Sequence, residues 1–322
     1  MSGLLLGVGL VLLLSGGFAL VHGASQLARR LGVPAVIVGL TVVAFGTSAP
    51  ELAVNVLAAL RGDPEISFGN VIGSNLANLG LILGLVALLA PLSIASVVLL
   101  REIPMMLLAT AAAVALALDH LLRGQAEAYD RTDGIILLLF FTVFLYTATM
   151  TVLRRREGDE LVRQSAEVMS RPLSVPRSGA LIIAGLTALI AGAELTVSGA
   201  VAIAAALGIP AAIVGLSVVA VGTSLPELVS SIIAAVRGES DLAVGNVVGS
   251  NIFNLLFIMG VTATIGSVPL PAGGLFDLIA LAALSILLFV FAATGRRLAR
   301  WEGVVLLGGW LAFALWRLLP PG

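Results

Sequence analysis

The chain has 322 residues, 59% of them hydrophobic and only 11% charged, with a mean hydropathy of +1.14. A soluble domain carries about 25% charged residues, so this chain cannot cover itself with a solvated surface, and most of it needs lipid as its solvent. The lack of cysteine excludes disulfides, thiolate metal sites and haem attachment. The net charge of −1 singles out no charged partner, and no nucleic acid is expected. Glycine is abundant, at 36 residues, and the apolar runs are continuous. That pattern predicts a helix bundle held by close packing, since a membrane β-barrel would alternate apolar and polar residues.

The first residues lack the basic start of a secretory signal, so the apolar run at 4–20 reads as a true first span. About 20 apolar residues cross the hydrocarbon core. Ten spans are predicted: 4–22, 33–60, 66–90, 102–122, 133–153, 178–199, 209–236, 242–266, 275–294 and 301–318. Two of them, 33–60 and 209–236, are too long for one straight crossing and contain proline and glycine, which predicts a break or a strong tilt. All basic residues are arginines. Alternate loops divide them thirteen against four, the larger set being 29, 30, 101, 154–156, 163, 171, 177, 237, 296, 297 and 300. The positive-inside rule puts that set in the cytoplasm of a multi-pass cell-membrane protein, with both termini outside. The segment 154–177 is then a cytoplasmic linker between halves, with nothing specific to a regulatory role.

Residues 31–84 align with 207–260 at a constant offset of 176, without a gap and with more than half of the positions identical. LGVPAVIVGLTVVAFGTSAPEL matches LGIPAAIVGLSVVAVGTSLPEL, and FGNVIGSNLANL matches VGNVVGSNIFNL. Five predicted spans separate corresponding points. Five is odd, so the second copy enters from the opposite face, as in the inverted repeats of secondary transporters. The expected fold is an all-α polytopic membrane protein of ten transmembrane helices in two inverted five-helix repeats. Residues 1–153 form one repeat and 178–322 the other.

The repeated segments are also the polar ones. Glu51 and Glu227 occupy equivalent positions, and a carboxylate at membrane depth is costly unless it is paired or faces a polar cavity. No arginine lies nearby in sequence. Converging at the repeat interface, the two would make a strong cation site; the plainer reading is that each is protonated and hydrogen-bonded. Thr47 and Ser48 lie four and three residues before Glu51, and Thr223 and Ser224 repeat this before Glu227, so a helix puts each trio on one face. Pro50 and Pro226 have no amide hydrogen and free the carbonyls of Gly46 and Gly222. Ser74 and Asn78 share a face in GSNLAN, as do Ser250 and Asn254 in GSNIFN. The other asparagines, Asn70, Asn75, Asn246 and Asn251, read as ties for backbone groups, with direct ligation the alternative. Every candidate ligand is a hard oxygen, which suits calcium or sodium and argues against zinc or copper; magnesium dehydrates reluctantly. Two carboxylates are neutralised by one calcium or two sodium ions. The two ions should compete for an overlapping site, and Asn78, Asn254 and the hydroxyls could hold an additional sodium, making exchange electrogenic.

At these residues the chain resembles the sodium/calcium exchanger family of the cation/calcium antiporters. The paired GTS-x-PE and GN-x-x-GSN segments carry the resemblance, and the ten-span layout extends it over the chain. It implies an alternating-access antiporter in which sodium entry drives calcium export, with no prosthetic group and with the ions and the bilayer as partners. By position, Glu51 and Glu227 would be the principal calcium ligands. Thr47, Ser48, Ser74, Thr223, Ser224 and Ser250 would supply sodium and calcium ligands, and the carbonyls of Ala44 and Ala220 would complete the sodium sites. The first and sixth spans would slide over a rigid core. The family varies between Asp and Asn at Asn254; Asn here looks like the potassium-independent branch. A monomer is expected.

Three other readings compete. A calcium/proton antiporter would exchange calcium for protons on the same carboxylates, though the hydroxyls and asparagines favour sodium. An intramembrane hydrolase lacks its groups: His22 and His120 lie near span ends, and no HExxH motif occurs. A passive channel would need weaker binding than two carboxylates provide. Glu194, with Phe18 at the matching place, is not duplicated and reads as an interfacial or packing glutamate, against a role in ion access.

Overall fold

The computed structural model describes residues 2–61, 64–118, 128–156, 172–206 and 222–318. In chain order the helices are α1 (Ser2–Leu31), α2 (Ala35–Thr47), α3 (Ala49–Arg61), α4 (64–89), α5 (Val98–Leu116), α6 (Arg131–Arg156), α7 (Val175–Ala206), α8 (Leu225–Val236), α9 (Ser240–Ile265), α10 (Gly274–Gly295) and α11 (Arg300–Leu318). Among the described residues, seven helices are long and apolar enough to cross a membrane, and eight if the bent pair α2–α3 is one span. Their outer faces carry bare apolar side chains such as Leu4, Val11, Leu100 and Ile183, each more than 60% exposed. Patches of that kind need an apolar solvent.

The helices run past their apolar cores. The apolar run of α1 ends near residue 22, but the helix continues to Leu31 and stops where Gly32 takes a φ of +67°. There the amide of Val33 donates to the Ala28 carbonyl at 3.0 Å and closes the turn, the glycine stop that ends many helices. Helix α8 ends the same way, on Gly238 at φ +76°, with the Glu239 amide donating to Ala234 O at 2.8 Å.

Two helices form the centre. Burial covers 94% of the apolar window of α9 and 78% of that of α4, against 33% for α1, α6 and α7. These central helices carry the GN-x-x-GSN segments. Each widens into a π-turn just after the motif, at Ala77–Ile82 and Phe253–Ile258.

The offset of 176 recurs element by element: α3 corresponds to α8, α4 to α9 and α5 to α10, with the π-turns in register. The contacts exchange with the halves. Strand β1 (Leu92–Ser93) pairs with β4 (Arg297–Leu298), and β2 (Ala128–Tyr129) with β3 (Val268–Pro269), both antiparallel. Helix α11 packs on α4 as α6 packs on α9. These short strand pairs and the π-turns have no counterpart in the sequence reading.

The equivalent helices α1 and α7 lie against each other and run antiparallel, Gly9 meeting Gly192 and Gly23 meeting Ser178. Glycines every seven residues line the seam. A methyl group on Gly16 would stand 2.8 Å from the Gly185 carbonyl oxygen, and one on Gly192 2.7 Å from the Leu13 amide nitrogen. Small residues at such a seam let two backbones touch, which is how helices associate where lipid supplies no hydrophobic drive.

Candidate ion-binding site

The site begins at a break in the chain. Pro50 has no amide to give the carbonyl of Gly46, and α2 and α3 meet at a bend of 44°. Ser48, at the break, takes φ −82° and ψ 6°. Ser224, 176 residues on, takes φ −90° and ψ 7° just before α8 and its Pro226. At these two positions both serine side chains reach across to the other repeat. Ser48 Oγ donates to Glu227 Oε1 at 3.1 Å, and Ser224 Oγ donates to Glu51 Oε1 at 3.4 Å. The helical spacing expected of Thr47, Ser48 and Glu51 is thus interrupted at Ser48, and the hydroxyls face the carboxylate of the opposite repeat. Thr223 stands beside Glu51, and Thr47 beside Glu227.

Both glutamates are 1% exposed, and Glu51 lies within the field of Glu227. Neither has an ion pair among the described residues. Among the described residues, one oxygen of each, Glu51 Oε2 and Glu227 Oε2, has no hydrogen-bond donor. Buried charge without a partner is strongly unfavourable, so the pair fits a cation.

The central helices add neutral oxygens. Asn78 and Asn254 are buried, and the Oδ1 of each lacks a donor among the described residues. Their amide groups are tied down: Asn78 Nδ2 donates to Asn251 Oδ1 at 3.0 Å, and Asn254 Nδ2 to Ser74 Oγ at 3.1 Å. The Ser74 hydroxyl donates to the Asn70 carbonyl at 2.7 Å, while the buried Ser250 Oγ has no partner among the described residues. The Ala44 carbonyl accepts from the Ser48 amide at 3.0 Å and from the Thr47 hydroxyl at 3.3 Å. Facing an ion would require that hydroxyl to turn away. Ala220 lies outside the described residues.

The remaining polar groups hold these in place. Asn246 Nδ2 donates to Ser230 Oγ at 3.1 Å and Ser231 Oγ at 3.0 Å, and reaches the Glu227 carbonyl at 3.5 Å. Its Oδ1 accepts from Thr47 at 3.2 Å. In the other repeat the Glu51 carbonyl accepts from Asn55 at 2.7 Å and Asn70 at 3.5 Å. Asn75 ties the Val71 carbonyl at 2.9 Å. Three of these, Asn55, Ser230 and Ser231, escaped the sequence reading. Their signal was there, as polar residues inside an apolar run one turn after each glutamate. The motif glycine Gly249 brings α2 close, since a methyl there would lie 2.7 Å from Leu40 Cα.

The model of the sodium/calcium exchanger protein family matches residues 1–150 and 177–319. The chain belongs to the sodium/calcium exchanger family. It is 34% identical to the sodium/calcium exchanger MaX1 of Methanosarcina acetivorans, over 96% of each chain. It is 35% identical to the inner membrane protein YrbG of Escherichia coli, over 97% of this chain and 96% of the relative. A solved structure of the sodium-calcium exchanger NCX_Mj, soaked with 100 mM Na+ and 10 mM Sr2+, superposes with a TM-score of 0.84 at 32% identity, over 99% of both chains. As a member of this family the chain is a transporter, a cation/calcium antiporter.

Proposed function

We propose that the chain exchanges sodium for calcium by alternating access, electrogenically and without potassium. The observation that carries this reading is the reciprocal pair Ser48–Glu227 and Ser224–Glu51, which sets two buried carboxylates side by side, each with a free oxygen. Two negative charges are neutralised by one calcium or by two sodium ions. Asn78 and Asn254, with free Oδ1 atoms, supply room for a third sodium without a third carboxylate. Calcium takes 6–8 oxygens in flexible geometry, and Glu51, Glu227, Thr47, Thr223 and the neighbouring carbonyls and amides offer that number. Ser48, Ser224, Ser74 and Ser250, with the carbonyls of Ala44 and Ala220, serve the sodium ions.

The architecture proposed is ten spans in two inverted repeats. The antiparallel seam of α1 and α7 and the exchange of contacts between halves support it. Inverted halves can swap roles, giving outward- and inward-facing states around one site. The arginine distribution supports both termini outside and the segment 154–177 in the cytoplasm, between the halves 1–153 and 178–322. Both halves of the site come from one chain, so a monomer suffices.

Calcium/proton exchange is the second reading, supported by the fact that, among the described residues, the two carboxylates receive only hydroxyl donors, which two protons would suit as well. Calcium-45 flux into proteoliposomes under imposed sodium, potassium or proton gradients separates the two. Sodium-driven uptake that generates current and ignores potassium supports the proposal. Uptake driven by the pH gradient alone refutes it.

A further inference from the structure

One end of the α1–α7 pair is strapped to the core. His22, Ser25 and Arg29 lie on one face of α1, and all three reach the turn between α8 and α9. Arg237 Nη2 lies 3.4 Å from His22 Nδ1, and its guanidinium carbon sits 6.0 Å from the ring centre of Phe18. Glu239, set at the turn by the glycine stop of α8, accepts from Ser25 Oγ at 2.7 Å and Arg29 Nη2 at 3.3 Å. Helix α1 packs along α8 beneath these contacts, whereas α7 makes no comparable packing along α3.

The repeat offset maps this strap onto the opposite end of the molecule. Arg237 corresponds to Arg61 at the end of α3, and Phe18, the residue under its guanidinium, corresponds to Glu194. Here Arg61 and Glu194 are both exposed, and among the described residues neither has an ion pair or a hydrogen bond. The sequence puts Val201 and Ala205 where Ser25 and Arg29 stand, so the second half of the strap has no counterpart.

We propose that Arg61 and Glu194 are a gating ion pair, apart in this state and joined in the opposite-facing one, where they close the far end as Arg237 and Phe18 close the near end here. This rests on the alternating-access reading above. A ring under a guanidinium is a cation–π contact; a carboxylate at the same place is a direct ion pair, which explains a charge on a lipid-spanning helix that the ion site does not use.

The chain has no cysteine, so cysteine pairs report directly. The full chain in proteoliposomes, carrying either Arg61→Cys with Glu194→Cys or Phe18→Cys with Arg237→Cys, is treated with a short bifunctional thiol reagent. Joining is read on gels after cleavage at a protease site inserted in 154–177. The two pairs should cross-link under opposite ion conditions, one rising as the other falls among sodium, calcium and ion-free buffers. The Phe18/Arg237 pair with the added change Glu194→Gln should cross-link more, by up to about fivefold, the worth of one exposed ion pair. Charge exchange should rescue: Arg61→Glu and Glu194→Arg each slow transport, and the two together restore it. The proposal is overturned if the Arg61/Glu194 pair never joins while the other does, if both join equally in every buffer, or if the exchanged pair is no better than the single changes. The charge-exchange rescue is read on whichever ion the chain carries, so an exchanger of other ions would leave that result intact, and a failed rescue beside intact sodium-driven calcium flux in the parent would leave the ion assignment untouched.

Discussion

Ser48 donates its hydroxyl to Glu227 across 179 residues of chain, and Ser224 returns the same bond to Glu51. Each repeat thus completes the carboxylate of the other. Any relative movement of the halves therefore changes the geometry of both carboxylates at once.

Neutralising one carboxylate leaves a single charge for a divalent ion. Glu51→Gln or Glu227→Gln should therefore cost about 3 kcal/mol of calcium binding, the penalty for breaking a buried charge pair, or roughly a hundredfold. Equilibrium calcium-45 binding to purified protein reads this. Binding within a fewfold of the parent would show that the glutamates lie outside the site.

The serine bonds predict a smaller loss. A hydrogen bond to a charged group contributes about 1.5–3 kcal/mol, so Ser48→Ala and Ser224→Ala should each weaken ion binding by roughly tenfold or more. The effects should be of similar size, because the bonds are equivalent. A large loss from one serine and none from the other, in the same binding assay, would break the reciprocity.

How much of this was legible in the sequence depends on distance along the chain. Glu51, Glu227 and their hydroxyls stood out because a carboxylate inside an apolar run is costly, and because the pattern occurs twice at one offset. The end of α1 was misread by about nine residues, because apolarity ends near residue 22 while the helix ends only at Gly32. The partner of Ser48 was not legible at all. Helical periodicity assigns it to Glu51, three residues away, and only the bend at Pro50 sends it to Glu227. The asparagine bonds between α4 and α9 are likewise contacts between repeats, which local spacing cannot announce.

The seam of α1 and α7 should tolerate no side chain. Gly16→Ala places a methyl 2.8 Å from a backbone oxygen that cannot yield, and overpacking of this kind costs about 1–3 kcal/mol. The thermal midpoint in detergent should fall. Gly7→Ala, with nothing within 4 Å of the added carbon, should leave it unchanged and serves as the control.

Asn254 bears on potassium. Asn254→Asp adds a third negative charge beside the free Oδ1 position, which one calcium alone no longer neutralises. Flux through that variant should come to depend on potassium, while the parent stays indifferent to it. Potassium-dependent flux in the parent would contradict the charge count.

The most direct test is a crystal structure of the protein soaked in calcium, with anomalous diffraction measured at long wavelength. A calcium peak within coordinating distance, about 2.3–2.6 Å, of Glu51 Oε2 and Glu227 Oε2 together is the predicted result. A peak bound to only one of them, or two glutamates that bind no ion while calcium sits elsewhere in the chain, would contradict it.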